Sequence, residues 1–177
     1  MNKVSTSLLC LALAAVSNAV AAAEAEQEIP EPASFVKLAA QDGMAELEVA
    51  RAALAKSQDP SVRSLAQRLV TDHGKVNAEL ESIATHKGID VPRSLDAEHR
   101  VRVDALTAKS GAEFDREFSQ RMNMDHIKAI ALFESATKTA DPELAQFAKK
   151  TLPTLREHKQ LAEKLPGKPS SAPSAGG

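Results

Sequence analysis

A block of sequence that occurs twice limits the folds open to this chain. LAQRLVTDHGKVNAELES spans residues 65–82, and FSQRMNMDHIKAIALFES spans residues 118–135. In both copies apolar residues recur every three or four positions, which is the spacing of one face of an α-helix. His73 and His126 fall on that face, and His158 falls on the apolar face of a third such segment. The sequence therefore predicts a helical bundle with imidazole side chains aimed into its core.

Four long helices follow from the apolar periodicity and from the turn residues. They cover, in order, residues 34–56, 60–87, 112–138 and 142–165. Ser34 is the candidate N-cap of the first helix, and Asp59-Pro60 and Asp141-Pro142 supply an N-cap acid followed by proline at the first helical position. The short turns predict two antiparallel hairpins. Pro153 predicts a local bend in the fourth helix, about one turn from His158.

The connection between the hairpins is long. Residues 88–111 contain a shorter amphipathic stretch at 95–109. A connection of this length can return along the bundle, so that the second and third long helices can run parallel. His86, near a helix end, and His99, in the connection, are assigned to the surface.

The two ends of the chain have a different composition. Lys3, an apolar run over residues 8–16 and small residues up to Ala23 are typical of a cleaved secretory signal at residues 1–23. The run is shorter than the ~20 residues that span a bilayer, so we expect release into the periplasm or the medium without a transmembrane anchor. Cleavage would remove Cys10, the single cysteine. Residues 24–33 are expected to be a flexible linker, 34–165 the bundle domain and 166–177 a disordered tail.

Composition and motifs also exclude several classes of function. The formal net charge is −2, and the chain has no basic tract and neither Trp nor Tyr, so no nucleic-acid partner is expected. No glycine-rich phosphate loop or nucleophile elbow is present, and no motif points to a protein partner or an oligomer. None of the five histidines has a glutamate three residues before it, as a di-iron carboxylate centre would require. The expectation is a protein without enzymatic activity.

Three inward histidines form the candidate site. His73, His126 and His158 lie at similar distances from the tight turns, and Glu46 of the first helix lies at a similar height among small residues. Neutral imidazole suits zinc, copper and iron, and Glu46 is a candidate fourth ligand. The alternative is that each histidine is a core residue satisfied by one hydrogen bond and that Glu46 is an exposed acid beside Glu48. Under this alternative, the protein is a metal-free structural or stress-related interaction protein.

Four more residues are candidates for supporting the site. Asp72, Asp125 and Glu157 each directly precede one of the histidines. Because successive residues lie ~100° apart on a helix, these acids are expected to reach an adjacent helix rather than their own histidine. Met122 is one turn before His126; such a pair favours copper, although methionine is more often core filler.

The chain also resembles a known family. The run FVKLAAQDGMAELEVARAALAKSQDP, the paired Asp-His blocks and the closing TLPTLREH are similar to the secreted bacterial family known as domain of unknown function 4142, over Phe35 to Leu165. That family is placed with ferritin-like bundles. The resemblance implies an all-α four-helix bundle of two antiparallel hairpins with a long crossover carrying a short helix, and it implies no established activity.

The second histidine block has a further resemblance. FSQRMNMDHIKAIALFE is similar to a related family of small secreted helical proteins with a Met-x-x-His-His motif. Asp125 stands where that family has its first histidine, which weakens the inference of copper.

Overall fold

The computed structural model describes residues 29–166. Within that range the chain forms five α-helices and no strand. They are α1 (Pro32–Lys56), α2 (Pro60–His86), α3 (Ala97–Thr107), α4 (Gly111–Ala136) and α5 (Pro142–Ala162). The signal expected at residues 1–23, and the expected tail beyond residue 166, lie outside the described residues. No helix among residues 29–166 is long and apolar enough to cross a membrane.

Two apolar clusters show the direction of each long helix. One cluster combines the start of α1, the end of α2, the end of α4 and the start of α5. The other combines the opposite ends of these helices with Val103 and Leu106 of α3. The two hairpins are therefore antiparallel pairs, whereas α2 and α4 point the same way. The connection between them returns along the bundle and carries α3, which confirms the predicted ferritin-like fold.

Capping residues set most of the helix starts. Asp59 and Asp141 each accept hydrogen bonds from two backbone N–H groups of the first turn, as predicted. The start of α1 differs, because Glu31 is the N-cap and Pro32 the first helical residue, so that Ser34 lies inside the helix. Proline suits that position because its φ is already helical and its missing N–H would have no partner there. Pro153 lies on the exposed side of α5 and does not end the helix.

Helix α1 buries Phe35, Val36 and Val49 together with a row of small residues. Met44, Leu47 and Leu54, which hydrophobicity alone would place in the core, are only half-buried. The buried face carries small residues and Glu46, namely Ala39, Gly43, Glu46, Ala50 and Ala53. Small side chains let the α1 backbone approach α2 closely, and a Cβ added to Gly43 would lie 2.2 Å from Asn77 Oδ1. Glu46 is thereby turned into the core.

Polar contacts hold α3 against the bundle. His99 lies with Nδ1 2.8 Å from Asp96 Oδ1 and Nε2 3.1 Å from Asp42 Oδ1 of α1. Arg102 donates to Asp125 of α4 across 2.9 Å. The assignment of His99 to the surface was wrong: the residue is buried, and a carboxylate accompanies each ring nitrogen.

Candidate metal centre

Each of the four long helices contributes one buried polar side chain at the same level of the bundle. Glu46 of α1, His73 of α2, His126 of α4 and His158 of α5 are all at most 5% exposed. The centroids of the three imidazole rings lie 5.3–5.7 Å apart. One nitrogen from each ring lies within 4.8 Å of the others. The structure thus brings the three histidines together, and Glu46 lies beside two of them.

Glu46 lies in contact with two of the rings. Its Oε2 is 2.6 Å from His73 Nε2, although the angles there are not those of a hydrogen bond, and its Oε1 is 3.5 Å from His126 Nδ1. Burial by itself raises the pKa of Glu46, but His126 and His73 outweigh burial and lower that pKa to about 2. Glu48 instead receives hydrogen bonds from Arg100 at 2.8 and 2.9 Å. Glu46 is therefore a buried carboxylate and not the exposed acid that the sequence also allowed.

The same carboxylate acts on His73. Burial lowers the pKa of the His73 imidazole, but the Glu46 carboxylate raises that pKa by more, so the net direction is upward. The two residues are thus a charge-compensated pair between α1 and α2.

In His126 and His158, a hydrogen bond at one ring nitrogen shows which of the two nitrogens carries the proton. His126 Nδ1 lies 2.8 Å from the Met122 carbonyl oxygen, which can only accept, so Nδ1 carries the proton. His158 Nε2 lies 3.0 Å from Asp72 Oδ2, and we assign its proton to Nε2 for the same reason. The lone pairs of His126 Nε2 and His158 Nδ1 are left for another partner.

Four buried atoms of the cluster have no hydrogen-bond partner among the described residues. They are Glu46 Oε2, His73 Nε2, His126 Nε2 and His158 Nδ1. Two of these atoms, Glu46 Oε2 and His73 Nε2, already face each other across 2.6 Å as an ion pair. Because buried polar atoms are normally hydrogen-bonded, His126 Nε2 and His158 Nδ1 are the atoms that require an explanation. Three imidazole nitrogens and one carboxylate oxygen are a ligand set that zinc and similar divalent ions accept. The side chains present therefore fit a metal ion.

Asp72 supports the site from behind His158. Its side chain reaches from α2 to His158 on α5, as expected, and its Oδ2 also lies 3.3 Å from Arg68 Nε. Arg68 in turn donates to Glu157 across 2.7 Å, so that Glu157 reaches back to α2. Burial chiefly, with help from the neighbouring imidazoles, lowers the pKa of His158 to about 4 although Asp72 acts the other way. His158 is therefore neutral near pH 7.

The other two support candidates have different surroundings. Asp125 accepts from Arg121 at 2.5 Å and from Arg102 of α3, so it holds the crossover helix rather than a histidine. Met122 is fully buried in the apolar cluster nearest α3, and its hydrogen bond to His126 is made by its backbone carbonyl. Arg68 was not singled out from the sequence, although its position one turn before Asp72 on a helix would have indicated the pair.

The space around the cluster is small. A cavity of about 20 Å³ lies against Glu46 and His73. That is room for about one water molecule and not for an organic substrate. The geometry thus supports holding an ion more than transforming a substrate.

Comparison with solved structures supports the fold. A crystal structure of a DUF305 fragment from Deinococcus radiodurans has a TM-score of 0.67 and 23% sequence identity, covering 77% of this chain and 96% of that chain. CopM in the Cu(I)-bound form has a TM-score of 0.61 and 20% identity, covering 73% and 91%. At these identities the similarity concerns the fold alone.

Comparison with families gives the identity of the domain. No curated protein sequence matches this chain. The family described as "Domain of unknown function (DUF4142)" matches residues 16–165, which is most of the chain and includes all five helices. The match agrees with the resemblance drawn from the paired Asp-His blocks, and the protein belongs to the DUF4142 family.

Proposed function

We propose that the protein binds a divalent transition-metal ion in its core and has no enzymatic activity. The ligands would be Glu46, His73, His126 and His158. The observation that carries the proposal is the buried cluster of three imidazoles beside the Glu46 carboxylate, in which His126 Nε2 and His158 Nδ1 have no hydrogen-bond partner among the described residues. An ion at the centre of the cluster would give both nitrogens a partner and would replace the contact between Glu46 and His73.

The ligand set favours certain ions. Imidazole nitrogen and carboxylate oxygen suit zinc, copper(II) and iron(II), and four such ligands match the tetrahedral preference of zinc. Bonds of roughly 2.0–2.2 Å place ligand atoms about 3.3 Å apart, so the three nitrogens, now within 4.8 Å of one another, would draw together by small side-chain rotations. Zinc is the first ion to test, with copper(II) and iron(II) next.

A sequence-based expectation and a structural comparison add support to this proposal. The signal expected at residues 1–23 would carry the protein to the periplasm or the medium. CopM, which has the same fold, was solved in a Cu(I)-bound form. A bundle of this shape can therefore hold a metal ion.

One observation favours a metal-free structural role instead. The contact of 2.6 Å between Glu46 Oε2 and His73 Nε2 already places opposite charges together. The lowered pKa of Glu46 and the raised pKa of His73 describe a pair that compensates its own charge. In that case the cluster would fix the register of the two hairpins and bind nothing.

A titration separates the two functions. Zinc, copper(II) and iron(II) are titrated into chelator-treated protein, and the stoichiometry and the melting temperature are measured for wild type and for Glu46→Gln, His73→Gln, His126→Gln and His158→Gln. The proposal expects one ion per chain, a higher melting temperature with metal, and weaker binding in each of the four variants. His86→Gln, on an exposed histidine at the end of α2, is the matched control and should bind as wild type. A wild-type melting curve indifferent to metal and chelator would establish the metal-free role.

A further inference from the structure

Two spaces lie on either side of the α1–α2 seam. The inner one is the cavity of about 20 Å³ bounded by Glu46 and His73. The outer one is an open groove of about 270 Å³, whose lining includes Met44, Glu81 and Val91. Among the residues that line these two spaces, Asn77 alone lines both. Its side chain therefore borders both the groove and the cavity.

Asn77 can fill this position because of Gly43. A Cβ at residue 43 would lie 2.2 Å from Asn77 Oδ1 and 2.9 Å from Asn77 Cγ, so the amide occupies the place of a missing side chain. The amide thus rests against the backbone of α1 and closes the seam. An asparagine side chain can change rotamer without moving either helix backbone.

We infer that Asn77 is the gate through which metal ions reach the buried ligands. When the amide turns away from Gly43, the groove and the cavity join, and an ion can pass to Glu46 and His73. Glu81 and Arg93 both line the groove, whereas Asp42 and Glu46 line the cavity, so the carboxylates that favour a cation over an anion are concentrated at the inner end of the path. The inference rests on the proposed metal binding and adds the route by which the ion enters and leaves.

The test measures rates as well as affinity. Zinc uptake by chelator-treated full-length protein and zinc release to excess EDTA are followed by stopped flow. Asn77→Ala removes the gate, so both rates should rise by about ten-fold, while the equilibrium affinity stays the same. Asn77→Leu keeps the bulk of the side chain and should leave both rates close to wild type. Asn77→Ser serves as a second opened variant.

Controls make each outcome decisive. Asn123→Ala is the matched control, because Asn123 lies on α4 and lines neither space; its rates should match wild type. Equal rates in wild type and Asn77→Ala would overturn the gate. Faster release with unchanged uptake would also overturn it, since Asn77 would then act as a ligand. A wild-type protein that takes up no zinc at equilibrium would instead refute the proposed function itself.

Discussion

His158 donates from Nε2 to Asp72 Oδ2 across 3.0 Å, from α5 to α2. A carboxylate behind an imidazole fixes the tautomer and the orientation of the ring and makes the other nitrogen a better ligand. This hydrogen bond leaves His158 Nδ1 buried without a partner among the described residues, in a ring whose centroid lies 5.3 Å from those of His73 and His126, and it makes Asp72 a positioning residue of the proposed site.

Removing Asp72 should weaken metal binding without removing a ligand. Asp72→Ala leaves the His158 ring free to turn, and we expect the affinity for zinc to fall by roughly 10- to 100-fold. Competition with a chelator of known affinity measures the change. Glu157→Ala is the control, because Glu157 pairs with Arg68 but with none of the histidines. Equal losses in both variants would show that the acidic surface, and not the hydrogen bond, sets the affinity.

The core around His73 should respond strongly to truncation. Leu69 and Leu80 are fully buried on the same face of α2 as His73. Leu69→Ala and Leu80→Ala should each lower the free energy of unfolding by ~2 to 5 kcal/mol, as large-to-small core changes do. Urea denaturation gives the values. Leu38→Ala, at a position 46% exposed, should cost far less, and a similar loss there would contradict the assigned core.

Gly43 and Gly74 lie within one helical turn of Glu46 and His73, and replacing each of them with alanine should change the stability of the protein differently. Gly74 on α2 has no atom within 4 Å of an added Cβ, so Gly74→Ala should stabilise the helix by roughly 0.5–1 kcal/mol. Gly43→Ala must displace Asn77 and should be less stable than Gly74→Ala by about 1 kcal/mol. Thermal and urea unfolding of the matched pair test the difference. Equal gains would mean that Asn77 does not rest on Gly43.

The contacts of His99 predict a pH dependence of stability. Burial lowers the pKa of the His99 imidazole, but Asp96 and Asp42 raise it by more. A raised pKa in the folded state contributes stability that is complete below the unfolded value of 6.5 and is lost as pH rises through the folded pKa. The difference in unfolding free energy between wild type and His99→Gln should therefore shrink as pH rises, by on the order of 1 kcal/mol or less.

Urea unfolding at several pH values between about 5.5 and 8.5 checks this trend. Asp42→Asn removes one of the two carboxylates and should flatten the dependence. A difference between wild type and His99→Gln that grows with pH would contradict the assigned charge state.

Metal affinity should itself depend on pH. Only a neutral imidazole coordinates, and Glu46 raises the pKa of His73, so His73 must lose its proton when an ion binds. Affinity should therefore fall as pH falls through the range just above and below ~6.5. His158, with its pKa lowered to about 4, contributes little to this trend. Calorimetric titration in buffers of different ionisation enthalpy would detect the released proton, and affinity independent of pH would contradict the prediction.

The height of the candidate site along the bundle could be predicted from the sequence because helix geometry is regular. A helix rises 1.5 Å per residue, so counting from the turns at Asp59 and Asp141 placed His73 and His158 at similar heights. The paired blocks then placed His126 with them. The parallel course of α2 and α4 followed from the length of the connection.

Other features depend on pairs of residues that periodicity does not reveal. His99 was assigned to the surface because one of its partners, Asp42, lies on a distant helix. Gly43 is buried whereas the more hydrophobic Met44 and Leu47 are only half-buried, because close approach of two helices favours the smaller residue, and hydrophobicity alone does not indicate this. The sequence did not indicate a role for Asn77, because the position of its side chain depends on the absence of a side chain at Gly43.

Each hairpin supplies half of the ligand cluster. Glu46 and His73 belong to the first hairpin, and His126 and His158 belong to the second. Neither half alone offers more than two of these ligands, and the crossover must close before all four meet. An ion in the core would thus link the two hairpins, and an unfolded chain would lack the site and acquire its ion only after the hairpins have come together.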